Sequence, residues 1–398
     1  MVVRVYLKQA WNLMKQNPLF STLYIVGTGI SIVMTMVIAI VYYVRLAPVY
    51  PETNRMRTLV VKSAKMTNDE STHSANISYA MLKDWFYSLE SAEVSTGVSG
   101  TSYARVTNDK EEIPTYARYT DENFFRVFPL VFLEGKPFTE AERRSGIHNV
   151  VLTDSYAQQL FGTTKGVVGK NFLMDYTNVK VVGVVKSGSF LTPDSYAQVY
   201  LPYSCRDGYD DEGSHWALGG YRVYILMKES KSVTDVQDEV LELVRKFNVS
   251  DMGDGWKLDL VGQPELYWHS TFRLWSNVAV DWGRVIWMFV GIFMVLLFVP
   301  AFNLSGMISA RMERQLPDLG IRKAFGASRR RLLVQIIWEN LLLTGLGTLL
   351  GLVIAWIVLA LSGYEIFSLF EVFPKFPPKG VNLGMGIDMF FAPLIFVA

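Results

Sequence analysis

A single cysteine, Cys205, stands in 398 residues, so no internal disulfide can hold the fold. It is read as a packing residue rather than a reactive thiol. Charge of one sign is also missing. Lys and Arg number 38 against 37 Asp and Glu, a net charge of +1, which excludes the concentrated basic face that a nucleic-acid partner requires. Histidines are few: His73, His148, His215 and His269 are scattered, without the paired His/Cys spacing of a zinc site. The sequence has no Gly-x-Ser-x-Gly elbow, which removes the hydrolase class built on it. It also lacks a P-loop. Residues 166–171 read GVVGKN, but Thr164 occupies the place of the first glycine and Asn171 that of the Ser or Thr after the lysine. The chain is therefore not an ATPase and is read as carrying no metal and no cofactor of its own. Asp207, Asp210, Asp211 and Glu212 lie among glycines without EF-hand spacing and read as a solvated loop.

Apolar residues are abundant, half of the total, and they collect toward the two ends. From Leu19 to Val44 no charged residue occurs. A membrane span needs about 20 residues, and this run is too long for a signal-peptide core and lacks a cleavage site after it. It reads as an uncleaved anchor in which Gly27 and Gly29 allow close approach of another helix. A second span is expected over 282–309, with Pro300 kinking it or loosening one turn. A third is expected over 332–361, with Glu339 near its start. A fourth apolar run begins at Met389 and is cut short at Ala398.

The flanking charges orient these spans. Arg4, Lys8 and Lys15 precede the first, and Arg311, Arg314, Arg322, Lys323, Arg329, Arg330 and Arg331 lie between the second and third. Lys375 and Lys379 after the third are balanced by Glu365 and Glu371. The positive-inside rule places the N-terminus and the 310–331 connection in the cytoplasm, with 45–281 and a short 362–388 loop outside. Residues 1–18 carry Val3, Leu7, Ala10, Trp11 and Met14 at helical spacing and read as an amphipathic helix on the inner membrane surface.

The outer segment mixes strand and helix patterns. Strands are expected at 57–61, 149–152, 179–185, 198–201 and 221–227, and helices at 79–89, 154–161 and 233–247. The fold class is thus an α-helical membrane domain with an inserted α+β extracytoplasmic domain.

The most specific local signal follows the second span. A helix leaving the membrane meets Pro317, a short amphipathic piece runs over 318–325, and Gly326, Ala327 and Ser328 turn the chain, with Ser328 as the next N-cap. Such a helix between two spans suits docking into a groove on a partner. Asp318, Leu319, Gly320, Ile321, Arg322, Lys323, Ala324, Phe325, Gly326, Ala327 and Ser328 closely resemble the coupling region of the FtsX/MacB-type ABC transporter permeases. That pattern is E-[IL]-G-I-R-[KR]-A-[LI]-G-A-[ST], with an arginine upstream, here Arg314. Asp318 replaces the usual Glu, Phe325 the usual Leu, and Pro317 is unusual. The segments 123–142, 150–162, 167–172 and 179–188 resemble the MacB-like periplasmic core in order and spacing.

The resemblance implies a permease with a four-span plan, the last span truncated here, in the bacterial inner membrane with its large domain periplasmic. It implies a second permease chain and a separate ABC ATPase that holds the ATP and Mg. Closure of the ATPases would push the coupling helices, and the spans would move the outer domains for export or extraction of a substrate. A periplasmic adaptor and an outer-membrane channel are further implied partners. Leu319, Ile321 and Phe325 are expected to form the apolar docking face, rimmed by Arg314, Asp318, Arg322 and Lys323. The alternative is an FtsX-like transmitter that moves nothing and regulates a periplasmic cell-wall hydrolase. A sensor is disfavoured, because no signalling domain is visible in the cytoplasmic segments.

Overall fold

The computed structural model describes residues 11, 15, 18–100, 102–108, 111–189, 191–210, 216–250, 255–326 and 328–368. The expected 389–398 span, residues 369–388 of the expected loop, most of the 1–18 helix, and Asp211, Glu212 and His215 lie outside these residues. Two compact units emerge among these residues, one taking the chain up to Tyr43 and from Trp282 to Ser368, the other running from Val44 to Asp281.

The first unit is built of helices. A leading helix runs Pro18–Leu46, a long helix Trp282–Ala324 and a return helix Arg329–Ser368. Within them, Ser21–Leu46 and Leu332–Ser362 are long and apolar enough to cross a membrane, while the apolar stretch Trp282–Leu296 is shorter. The long helix continues through Pro300 and Pro317, so the expected separate piece over 318–325 is instead the end of one helix. Each proline removes a single N–H and disturbs one turn, which the rest of a 43-residue helix outweighs.

The leading and return helices meet through glycine. Gly347 and Gly351 lie one helical turn apart, and a Cβ on Gly351 would stand 2.7 Å from the carbonyl oxygen of Gly29. Tyr24 and Thr344 share a hydrogen bond across the same crossing at 3.0 Å. The close approach expected at Gly29 is thus realised against a Gly-x-x-x-Gly pair on the return helix, the small-residue packing that membrane helices use.

The second unit holds two sheets. Strands β1 (Thr58–Val61), β2 (Ala64–Thr67), β3 (Thr72–Ile77) and β4 (Ala92–Ser99) come first. Then come β5 (Ser102–Asn108), β6 (Glu111–Thr120), β7 (Phe132–Gly135), β8 (Asn149–Thr153), β9 (Asn171–Met174), β10 (Thr177–Val185) and β11 (Val199–Pro202). The last are β12 (Leu218–Gly219), β13 (Tyr221–Met227), β14 (Lys257–Asp259) and β15 (Glu265–Leu266). The first sheet runs β14-β2-β3-β13-β1-β15, with β4 along β13 and β12 on β3, all antiparallel. In the second, β10, β8, β11, β6, β5 and β9 close into a ring, because β10 also pairs with β9, and β7 flanks β10. The β10–β8 and β11–β6 pairs are parallel.

Period-two alternation explains why three cores form. In β1, Leu59 and Val61 face a core with Met81, Val236 and Val240, while Val60 faces another. In β8 and β11, Val150, Leu152, Val199 and Leu201 fill the ring. Val151 and Tyr200 point the other way, to join Val60, Phe124 and Tyr224 between the sheets. Strands buried on both faces read as unbroken apolar runs, which is why these were visible in sequence.

The expected 79–89 helix is shorter, Tyr79–Asp84 followed by a single 3₁₀ turn, Phe86–Ser88. Ser88 Oγ donates to the carbonyls of Asp84 and Trp85, a local side-chain bond that competes with helix continuation. The helix at 233–249 starts with a capping box in which Ser232 accepts from Asp235 N–H. Ser232→Ala is expected to lower the outer domain's stability by about 1 kcal/mol in a denaturant titration; an unchanged midpoint would contradict the cap's role.

Candidate functional site

Arg314, Asp318, Leu319, Gly320, Ile321, Arg322, Lys323 and Ala324 all lie in the closing turns of the long helix. Phe325 N–H still donates to the Ile321 carbonyl, and Gly326 N–H to that of Lys323. Gly326 then adopts φ +87°, the left-handed conformation that ends helices and suits glycine. The return helix begins at Arg329, and Leu332 N–H donates to the Ser328 carbonyl. The site is therefore the tip of a helical hairpin.

At this tip Ile321 is 57% exposed and Phe325 89% exposed. Successive helical residues are rotated by about 100°, which places Ile321 and Phe325 on one face together with Arg314, Asp318 and Arg322. Leu319 falls about 160° around from Ile321 by the same rotation, so the three apolar residues do not form the single face expected. Leu319 and Ile321 are two residues apart, so their separation follows from the helical period alone. A helix rising about 1.5 Å per residue makes 43 residues about 64 Å long, roughly twice the hydrocarbon thickness of about 30 Å. The tip thus ends a helix that begins at Trp282, the first residue after the outer domain.

Two buried ion pairs mark where the outer domain meets those helices in sequence, and neither carries a sequence motif. Glu52 and Arg55 lie directly after the leading helix, at 1% and 3% exposure. Arg55 Nη1 donates to the carbonyl oxygens of Val44 at 2.5 Å and Ala47 at 2.8 Å, capping the helix's C-terminal end. Its Nε and Nη2 donate to Glu52 Oε2 at 2.9 and 2.5 Å. Arg273 pairs with Glu265 and also donates to the carbonyls of Val261 and Val278, both within 2.8 Å, just before the long helix starts. Nothing in the spacing of these four residues marks them as paired.

The outer domain also has a half-open pocket of about 340 Å³, lined by Tyr119, Met174, Val179 and Leu201 with Asp175, Arg206 and Asp207. Cys205 and His148 border it. Burial pushes the Cys205 thiol up to about 11, which suppresses the thiolate and fits the packing role. Among the described residues no three His, Cys, Asp or Glu side chains gather to hold a metal.

Two buried carboxyls titrate in opposite senses. Burial moves Asp121 up to about 6, against hydrogen bonds from Thr96, Tyr87 and Gly97. Burial would also raise Asp194, but Lys62, Arg222 and Arg118 hold it well below the usual carboxylate range. Asp121 therefore contributes stability at low pH that is lost as pH rises from about 4 to about 6. Asp194 contributes stability above about 4 that is lost as pH falls through its folded value. Asp194→Asn is expected to flatten the acid limb of unfolding free energy against pH, and Asp121→Asn to flatten the opposite slope. Unchanged slopes in denaturant titrations across that range would contradict the assignments.

Two family models match the chain. A family model described as MacB-like periplasmic core domain matches residues 20–243, and one described as FtsX-like permease C-terminal matches 277–398. The macrolide export ATP-binding/permease protein MacB of Escherichia coli strain K12 is 22% identical over 268 residues, 66% of this chain. The MacB of Shigella flexneri matches to the same extent. The chain spans 39% of the length of these relatives. The periplasmic region of MacB from Actinobacillus actinomycetemcomitans aligns at 16% identity and TM-score 0.36, covering 50% of this chain and 88% of that one. The extracellular domain of the noncanonic ABC-type transporter YknZ from Gram-positive bacteria aligns at 15% and 0.35, covering 50% and 99%.

Proposed function

The chain belongs to the family that joins a MacB-like periplasmic core domain to an FtsX-like permease domain, and from that premise we propose that it is a mechanical permease subunit. A separate ABC ATPase, which holds the ATP and Mg, docks on the hairpin tip formed by Ile321, Phe325, Arg314 and Asp318. Its closure moves the long and leading helices, and these move the outer domain, which handles a substrate for export or extraction. The working unit contains two permease chains in the inner membrane, with the N-terminus and the tip in the cytoplasm and the outer domain in the periplasm. The last apolar run supplies the fourth span.

The observation that carries this reading is the hairpin tip. Phe325, a large apolar side chain, is 89% exposed at the end of a helix far longer than a span needs. Exposed aromatics rimmed by charge are the anchors from which protein interfaces are built.

Purification of the tagged chain from its own cells, trapped with non-hydrolysable ATP, tests it. Recovery of a stand-alone ABC ATPase is expected, and its absence under trapping overturns the reading. An accompanying outer-membrane channel selects efflux, a bound lipoprotein selects extraction, and a cell-wall hydrolase selects the FtsX-like regulatory role.

A further inference from the structure

The leading helix ends without a glycine cap. Its terminal carbonyls are instead taken by a guanidinium from Arg55, eleven residues beyond Val44 and eight beyond Ala47. Helix ends buried without such partners are costly, so the helix terminus and the Arg55 loop hold one another. The counter-charge, Glu52, is contacted from two further parts of the domain. Its Oε1 accepts from Ser195 N–H at 3.1 Å and Ser195 Oγ at 2.7 Å, in the loop between β10 and β11 of the ring. Its Oε2 accepts from the Tyr267 hydroxyl at 2.8 Å, and the Arg55 guanidinium stacks over the Tyr267 ring at 5.2 Å.

Tyr267 belongs to the segment that leads to the long helix. That segment starts with β15, which pairs with β1 through Leu59–Leu266 and Val60–Glu265. Tyr267 N–H continues the ladder by donating to the Thr58 carbonyl at 2.9 Å. Glu265 then holds Arg273, which fixes the Val278 carbonyl three residues before Asp281. Arg45 reaches the Thr271 carbonyl at 3.4 Å. Ser63 Oγ donates to the Ser276 carbonyl at 2.6 Å.

We propose that Glu52 and Arg55 are positioning residues that lock the end of the leading helix, the ring and the segment before the long helix into one stiff block. Glu52 accepts five hydrogen bonds from three segments at near-complete burial, and releasing any one leaves a buried charge short of its bonds. Movement of the leading helix is therefore passed to the domain without slack. That last consequence rests on the transmission reading given above; the lock itself does not.

Double electron–electron resonance on the full chain in lipid nanodiscs, with Cys205→Ser as background, tests it. Labels go at exposed Pro48, Asn277 and Lys165, with an Glu112–Lys165 pair inside the ring as control. In the unaltered background, narrow Pro48–Lys165 and Pro48–Asn277 distances are expected. Glu52→Gln and Arg55→Lys are expected to broaden both and leave the control narrow, since lysine cannot reproduce the guanidinium fork. Unchanged widths overturn the proposal. Where Glu52→Gln also broadens the control, Ser195→Ala decides: it deletes one hydroxyl, and loss of the narrow Pro48–Lys165 distance alone is expected, an unchanged one being fatal. With ATPase and ATP added, an unshifted Lys165–Lys165 distance between the two permease chains of the unaltered background overturns transmission and leaves the lock standing. Unaltered widths in the variants overturn the lock whatever ATP does.

Discussion

Ile321→Asp combined with Phe325→Asp leaves the chain inserted and its outer domain folded, yet reduces capture of the ATPase by about tenfold or more. Truncating an interface anchor costs about 2 kcal/mol or more, and each 1.4 kcal/mol is a factor of ten. Both side chains are exposed in the chain alone, so the change removes nothing that the fold uses. Pull-down at graded ATPase concentrations measures the loss, and undiminished capture would place docking elsewhere. Leu319→Asp, across the helix, reports which face is used. A smaller loss than that of the double variant is expected from the rotation between Leu319 and Ile321. Gly320→Pro attacks the lever instead of the contact. A helix-interior proline costs about 3 kcal/mol, and here it would follow Pro317 by one turn. ATP turnover is expected to persist while movement of the outer domain is lost.

Gly351→Leu is expected to separate the leading and return helices. The added Cβ would lie 2.7 Å from the Gly29 oxygen and 2.7 Å from Ile32 Cβ, and backbone cannot step aside as a flexible side-chain end can. Overpacking of this kind costs about 1–3 kcal/mol, and most of it is felt at a contact where small residues supply the attraction. Cross-linking with a bifunctional maleimide between cysteines placed at Tyr24 and Thr344 in a Cys205→Ser background, positions whose native side chains hydrogen-bond across the crossing, reads the result: efficient with Gly351 intact and lost in the variant. Gly345→Ala serves as the control, because nothing lies within 4 Å of a Cβ there. Equal cross-linking in Gly351→Leu and Gly345→Ala would remove the crossing from the account.

Much of the outer domain was legible because its central strands are apolar on both faces. β8, β10, β11 and β13 stand where short β-branched runs predicted strands. β4, with the sequence AEVSTGVS, escaped notice. Its small polar residues give no alternation, and Thr96 and Gly97 serve to satisfy Asp121 instead of filling a core. The ring was equally hidden, since its closure depends on β10 pairing with both β8 and β9, residues that no local pattern connects.

The coupling segment divides in the same way. Its position and residue types follow from sequence, because the Asp318–Ser328 motif and the glycine that ends the helix are local features. That Arg314 shares a face with Ile321 and Phe325 does not, because that depends on the helix surviving Pro317. Sequence by itself determined the apolar helices, the α+β outer segment between them and the polar-rimmed tip, all properties of neighbouring residues and their periodicity. Only the tertiary structure decided that Arg55 caps a helix it does not belong to. It also decided that Glu52 receives Ser195, 143 residues away, and Tyr267, 215 residues away. A buried charge is stable only where the fold gathers donors around it, and those donors come from segments whose meeting is a consequence of the whole chain's packing.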